Sequence, residues 1–274
     1  MRRAHRGPQW LNLRSAARCF QPDPPRMHAD EYVKLADVED ELWYFRSLHA
    51  HVRRELRLRV PATSAVSILD AGCGTGGLIK RLHLESPSWT WSGIDFMPLA
   101  CELARVRCPG CDIREASVTA LPFPDSSFDI VASIDVICQV PFPDESLQAL
   151  REFKRVLKPG GLLVVNVPAY RWMWSYHDVS CHTRHRYSGC ELRRELNGGG
   201  FRVERLSHWN ALPFPLVFAK RKLFVSPEGS SDVKALPAPA EAALRAAMAL
   251  EHGWMGLGGN WSWGTSLFAV GRRS

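Results

Sequence analysis

Two stretches of this 274-residue chain hold residue types whose spacing could do chemistry. The first is Leu69-Asp70-Ala71-Gly72-Cys73-Gly74-Thr75-Gly76-Gly77. Glycines there let a backbone approach a ligand closely, where any Cβ would clash. Gly72, Gly74 and Gly77 also satisfy G-x-G-x-x-G, which by itself would equally suit a dinucleotide. Asp70 bears on that choice. A carboxylate directly before the loop would repel a pyrophosphate and favour a ligand that presents an ammonium there. S-adenosylmethionine carries such an ammonium. Gly93-Ile94-Asp95 follows, and a carboxylate ending that stretch can accept both hydroxyls of a ribose.

The second stretch runs from Pro168 through Tyr170, Trp172, Trp174, Tyr176, His177 and Asp178 to His182, Arg184, His185, Arg186 and Tyr187. It is dense in groups that bind or move protons. A histidine, with an unperturbed pKa near ~6.5, can take a proton from an acceptor hydroxyl near neutrality. The reading is His177 as base, oriented by Asp178, with His182 as its rival. Tyr170, Arg186 and Tyr187 would bind the acceptor. The alternative for the same residues is a structural network of stacked rings and ion pairs. The loop offers a single carboxylate, a poor match to a hydrated magnesium site, so no metal is assigned.

These loops need a frame. From residue 66 short apolar runs alternate with helical patterns, as in a parallel sheet built from βαβ units. Strands are expected at 66–70, 89–94, 112–115, 128–134, 161–167, 201–206 and 266–270. Helices are expected at 76–84, 98–106, 144–157, 188–196 and 239–251. Both chemical stretches then follow the carboxyl end of a strand, where open α/β sheets bind ligands. Ahead of the sheet, Leu35, Val38, Leu42, Phe45, Leu48, Val52 and Leu56 form one apolar stripe, read as a single helix over 30–59. Trp43 and Tyr44 on it could roof a cofactor, whereas Phe45 lies on the packing stripe.

The segments L-D-A-G-C-G-T-G-G, G-I-D, L-P-F-P-D-S-S-F-D-I-V and L-K-P-G-G-L-L-V-V occur in that order between residues 66 and 168. In this the chain resembles the class I S-adenosylmethionine-dependent methyltransferases. The stretch from Trp174 resembles, more narrowly, a bacterial type 11/12-like subgroup with a W-S-x-H-D…H-x-x-R-R-Y-like element. His185 here replaces the first arginine of the pair. The resemblance implies an α/β, Rossmann-like seven-stranded sheet with an antiparallel last strand, flanked by helices. An N-terminal helical cap over 30–60 and an insertion over 208–263 would complete a single domain spanning 27–274, with its core at 62–207 and 264–273. It also implies S-adenosyl-L-methionine as cofactor. Asp70 and the backbone of Gly72, Cys73, Gly74 and Gly76 would hold its methionine part. Asp95 would hold the ribose, Phe96 would lie beside the adenine, and Ser117 and Val118 would touch the adenine edge. The family often has an acid where Ser117 stands. Asp135 would lie beside methionine and substrate.

Composition narrows the rest. Hydrophobic residues are 46% and charged residues 23%, ordinary for a globular chain. The net charge is +7, but residues 1–26 hold six arginines and one acid, so the remainder is nearly neutral. That leader is expected to be disordered. A near-neutral body argues against a nucleic-acid partner. Asn166-Val167-Pro168-Ala169-Tyr170 has only a superficial likeness to the N-P-P-Y of amino-methylating nucleic-acid enzymes, since it follows the fifth strand rather than the fourth. The expected acceptor is a small molecule or a lipid- or glycan-linked intermediate. No apolar run is long enough to span a bilayer, although residues 209–225 could rest on a membrane surface or line an acceptor pocket. Eight sparse cysteines suit a reducing cytoplasm, and Cys108-Pro109-Gly110-Cys111 is a turn. The competing functions are a cofactor-binding scaffold without activity, a nucleic-acid methyltransferase and a nicotinamide-dependent oxidoreductase.

Overall fold

The computed structural model describes residues 29–61, 64–223 and 232–274. The leader expected over 1–26 lies outside them. The centre is a seven-stranded sheet of order β3-β2-β1-β4-β5-β7-β6. Its strands are β1 (Val66–Ala71), β2 (Trp89–Asp95), β3 (Asp112–Glu115), β4 (Phe128–Ile134), β5 (Leu157–Pro168), β6 (Phe201–Trp209) and β7 (Ser266–Arg273). The pairs β3–β2, β2–β1, β1–β4 and β4–β5 are parallel, while β7 runs antiparallel to both β5 and β6. This is the Rossmann-like sheet with a reversed last strand that the family resemblance implied. β1 and β4 are Ile/Leu/Val-rich and almost wholly buried, as strands covered on both faces must be.

Helices cover the two faces. On one lie α2 (Trp43–Arg57), α3 (Gly77–Glu85), α4 (Pro98–Arg107) and α9 (Ala238–Gly256), around a core that includes Leu48, Val52, Ile68, Ile79, Trp89 and Met255. On the other lie α5 (Asp144–Val156) and α7 (Gly189–Gly198), around Leu69, Val131, Leu150, Phe153, Val165 and Leu196. A short α6 (Tyr176–Ser180) follows β5, and α8 (Phe214–Lys222) follows β6.

The single helix expected over 30–59 is two. α1 (Ala29–Val38) ends in a turn, and α2 begins at Trp43. The stripe with spacings of three and four runs through the break because such spacing is blind to a short turn. The turn has a cause in the partners it makes. Glu39, buried in the break, accepts hydrogen bonds from Thr75 Oγ1 at 2.6 Å and from Arg107 at 2.6 Å. Asp40 beside it accepts from Arg107 at 2.7 Å. A continuous helix would carry these carboxylates away from the glycine loop. β6 also runs three residues further than expected, to Trp209, because Ser207, His208 and Trp209 pair with Phe268, Leu267 and Ser266 of β7.

Candidate active site

The glycine loop follows β1 and leads into α3. Asp70 occupies the strand tip and is buried. Its Oδ1 has no hydrogen-bond partner among the described residues. Burial, and then the carboxylates of Glu39 and Asp95, push its pKa up to about 8. Gly72, Gly74 and Gly76 all take positive φ, at +96°, +51° and +83°. At Gly72 a Cβ would run into the Val136 side chain, and at Gly76 it would meet Cys108 Sγ at 2.9 Å. So the loop can close only with glycine at 72 and 76.

Asp95, at the tip of β2, accepts from the Gly74 N–H and the Met97 N–H, both at 3.0 Å. It also takes a hydrogen bond from the Tyr32 hydroxyl of α1. Burial raises its pKa, and these hydrogen bonds oppose the rise. A carboxylate has about four lone-pair sites, so Asp95 keeps acceptor capacity for a ligand.

Asp135 follows β4 with φ of +58°, a conformation unusual for a residue with a side chain. Its Oδ2 accepts from the Tyr44 hydroxyl at 3.0 Å and its Oδ1 from Asn166 Nδ2 at 2.8 Å. Asn166 Oδ1 in turn accepts from Trp209 Nε1 at 2.7 Å. Tyr44 stacks on Trp209 with ring centroids 5.5 Å apart. Desolvation raises the Asp135 pKa to about 6, against the opposing pull of Tyr44, Asn166 and Arg186.

One cavity of about 1250 Å³ joins these groups. That exceeds the ~300–1,000 Å³ of a usual single-ligand pocket and leaves room for two molecules. Its wall takes in Asp70, Gly72, Cys73, Gly74, Asp95 and Phe96 at one end, with Ser117 and Val118 beside them. Asp135, His177, Asp178, His182 and Arg186 also line it, and α8 and the start of α9 close its far side through residues such as Leu216, Val217, Leu236 and Leu244. Gly76, Tyr170 and Tyr187 are not in the wall.

Several sequence-based expectations change. Asp178 does not orient His177. Its carboxylate pairs with Arg186 Nη1 at 2.8 and 3.0 Å and caps α6 by accepting from the Ser175 N–H at 2.9 Å. His177 Nδ1 instead accepts from the Asp232 N–H at 3.2 Å. Burial, helped by the nearby Arg221 cation, pushes the His177 pKa down to about 3. A ring that resists protonation this strongly is a weak proton acceptor. Tyr187 is wholly buried, edge-on to His185 and Phe142, and its backbone bonds to Pro168 and Tyr170. Tyr170 stacks on His208 and Trp172. Neither faces the cavity, because both rings serve to hold the loop after β5. Gly76 acts at the N-cap of α3, between Gly74 and Leu78 of the wall.

Four residues escaped the sequence reading. Tyr32, Glu39, Thr75 and Asn166 all touch the carboxylates or the loop, and only the N-x-P-x-Y likeness had drawn attention to Asn166. The signal in each case is a partner distant in sequence. No group of three or more metal-ligating side chains occurs among the described residues, and Cys108 Sγ faces the Gly76 carbonyl at 3.3 Å.

Residues 69–165 match the family model described as a methyltransferase domain. A probable S-adenosylmethionine-dependent methyltransferase of Mycolicibacterium smegmatis is 31% identical over 173 residues, which is 61% of this chain and 62% of that protein. The probable tRNA methyltransferase 9B of Mus musculus is 32% identical over 149 residues, 53% of this chain and 31% of that one. The chain thus spans 62% and 31% of the length of these two relatives. Among solved structures, a chain from the complex of the Haloferax volcanii Trm112 methyltransferase activator with its methyltransferase superposes with a TM-score of 0.58. It is 22% identical and covers 90% of this chain and 98% of its own, a likeness of fold.

Proposed function

We propose, starting from the class I S-adenosylmethionine-dependent methyltransferase domain that this chain carries, that the protein methylates a hydroxyl of an acceptor bound in the same cavity. The acceptor class is a small molecule or a lipid- or glycan-linked intermediate. The observation that carries this reading is the two-ended cavity. Buried acids and an open glycine loop form one end, and under α8 and α9 the other end sets Leu216, Val217, Leu236 and Leu244 beside Lys220, Arg221 and Asp232.

The residues present fit the cofactor. Asp70 offers a buried carboxylate oxygen with no hydrogen-bond partner among the described residues, suited to an ammonium. Asp95 offers lone pairs to ribose hydroxyls, the Gly72 and Gly74 backbone keeps the floor free of Cβ atoms, and Phe96, Ser117 and Val118 flank the adenine side. When bound, the cofactor supplies an already activated methyl group, so the protein's task is positioning and proton removal.

Proton removal falls to Asp135 in preference to His177. With a pKa near 6, Asp135 is mostly ionised at neutral pH yet more basic than an ordinary carboxylate. Tyr44 and Asn166 fix its two oxygens. Val136, Leu216 and Val217 add apolar side chains to the cavity wall. His177 and Arg186 shape the acceptor end, and His182 keeps its place in the wall.

The test is transfer of a labelled methyl group to fractionated hydroxyl acceptors by the parent and by Asp135→Asn. Transfer by the parent and its loss in the variant supports the reading. Label that goes to tRNA instead, the substrate named for the Mus musculus relative, would replace it.

A further inference from the structure

The insertion presents an unusual outer surface. None of the nine residues of α8 is buried, and only Met248, Glu251 and Met255 are buried in the 19 residues of α9. Aromatic rings run along this surface in one chain of contacts. Trp172 meets Phe218 and Phe214, with centroids 6.0 and 6.1 Å apart. Phe214 meets Trp263 at 5.6 Å, Trp263 meets Trp261 at 6.1 Å, and Trp261 meets Trp254 at 6.4 Å. Trp172 and Trp254 remain 54% and 51% exposed. Leu223, Leu250 and Leu257 flank the belt at 68–88% exposure. A contiguous apolar patch of this kind marks a binding surface.

Charge narrows what binds there. Lys220, Arg221 and Lys222 form the last turn of α8. Arg171, exposed, begins the 3₁₀ turn that carries Trp172. Asp232 pairs with Lys220 and Arg221. Lys222 donates to the Trp174 carbonyl and forms no ion pair among the described residues. Half-exposed tryptophans beside lysine and arginine side chains match the boundary between lipid headgroups and acyl chains. The inner side of α8, through Leu216, Val217 and Ala219, also lines the cavity. This helix therefore stands between the cavity and whatever the belt touches.

We propose that the aromatic belt of α8, the 3₁₀ turn at Arg171–Met173 and the C-terminal end of α9 docks on the headgroup region of an anionic lipid bilayer. Docking presents the cavity to an acceptor with an apolar tail. This last point rests on the reading of the cavity as the acceptor site, whereas the docking itself does not.

The test uses the full chain and vesicles of phosphatidylcholine, alone or with ~30% phosphatidylglycerol, a mixture that lowers the surface potential felt by cations. Co-sedimentation and tryptophan emission are read in the absence of cofactor. The expected result is sedimentation with the anionic vesicles, a blue shift in emission, and release by salt. Trp172→Ser with Leu223→Ser should weaken partitioning at least about tenfold. Lys222→Gln should weaken it by about fivefold. Binding of S-adenosylhomocysteine, measured separately, should match the parent in both, which shows that they fold. Failure of the parent to sediment with either vesicle, equal binding to both, or unchanged binding by the variants would overturn the proposal. So would a concentration-dependent dimer that buries the tryptophans, which would make a second copy the occupant. A parent that docks but does not bind the cofactor would overturn the methyltransferase reading and leave the docking intact.

Discussion

Asp70 gives the sharpest prediction, because its burial has a thermodynamic consequence that can be counted. With a pKa near 8, the carboxyl is about 97% protonated at pH 6.5. A bound ammonium would need it ionised. Cofactor binding at pH 6.5 should therefore release close to one proton, and affinity should fall about tenfold for each pH unit below 8. At pH 6.5 the linkage costs about 2 kcal/mol, roughly 30-fold in Kd, relative to the fully ionised site. The ligand's own amine, at ~7.7–8.0, is already about 95% charged there and contributes little. Proton release is measured by calorimetric titration with S-adenosylmethionine in two buffers of different ionisation enthalpy. Asp70→Asn should bind at least about 30-fold more weakly at pH 8, since a desolvated charge partner is lost. It should also release almost no proton at pH 6.5. A parent that releases fewer than about 0.2 protons at pH 6.5, or a variant that releases as many as the parent, would refute the reasoning.

Other consequences follow from the same geometry. Gly72→Ala should lose about 1–3 kcal/mol of stability, read from urea unfolding, because the new Cβ meets Val136 in a left-handed backbone. Asp135→Asn should lower kcat about 10²–10⁴-fold while leaving cofactor affinity within a factor of about three. In the parent, kcat should fall as pH drops through about 6, where Asp135 takes up its proton, and that limb should persist in His177→Ala. A limb lost with His177 would return the base to the histidine. His51 is buried among Trp209, Phe268 and His252, and its folded-state pKa is lowered by burial and by the neighbouring cations. Its unfolded form takes up a proton below about 6.5 that the folded form refuses, so stability is lost as pH falls. His51→Leu should flatten the slope of stability against pH between 6.5 and 5 by about 1 kcal/mol per unit.

What could be read from the residues alone was local. Gly72 and Gly76 announce a backbone that no Cβ permits, and the strand-helix alternation fixes which end of the sheet carries Asp70, Asp95 and Asp135. The antiparallel direction of β7 was not legible in the residues themselves and came only with the family resemblance. What escaped were choices of partner made across the fold. The spacing of His177 and Asp178 suggested a pair, but the chain places Arg186 against Asp178 and gives His177 a backbone N–H from the insertion. Likewise Tyr32, Glu39 and Tyr44 reach three different carboxylates and loop residues only because the N-terminal stripe breaks into α1 and α2. Periodicity reports which face of a helix is apolar, and it is silent about a turn that keeps that face in register. The long loop after β5 divides its residues between two places. Tyr170, His185 and Tyr187 are its structural rings, and Asp178, His182 and Arg186 its contribution to the cavity wall.

The central claim is that one cavity holds the cofactor at Asp70 and Asp95 and the acceptor at Asp135. The most direct measurement is a crystal structure of the full chain with S-adenosylhomocysteine. The account predicts the ligand's amine on Asp70, its ribose hydroxyls on Asp95 and its sulfur facing Asp135, with α8 and α9 still closing the space beyond. Ligand bound elsewhere, or in this cavity with neither carboxylate in hydrogen-bond reach, would contradict it.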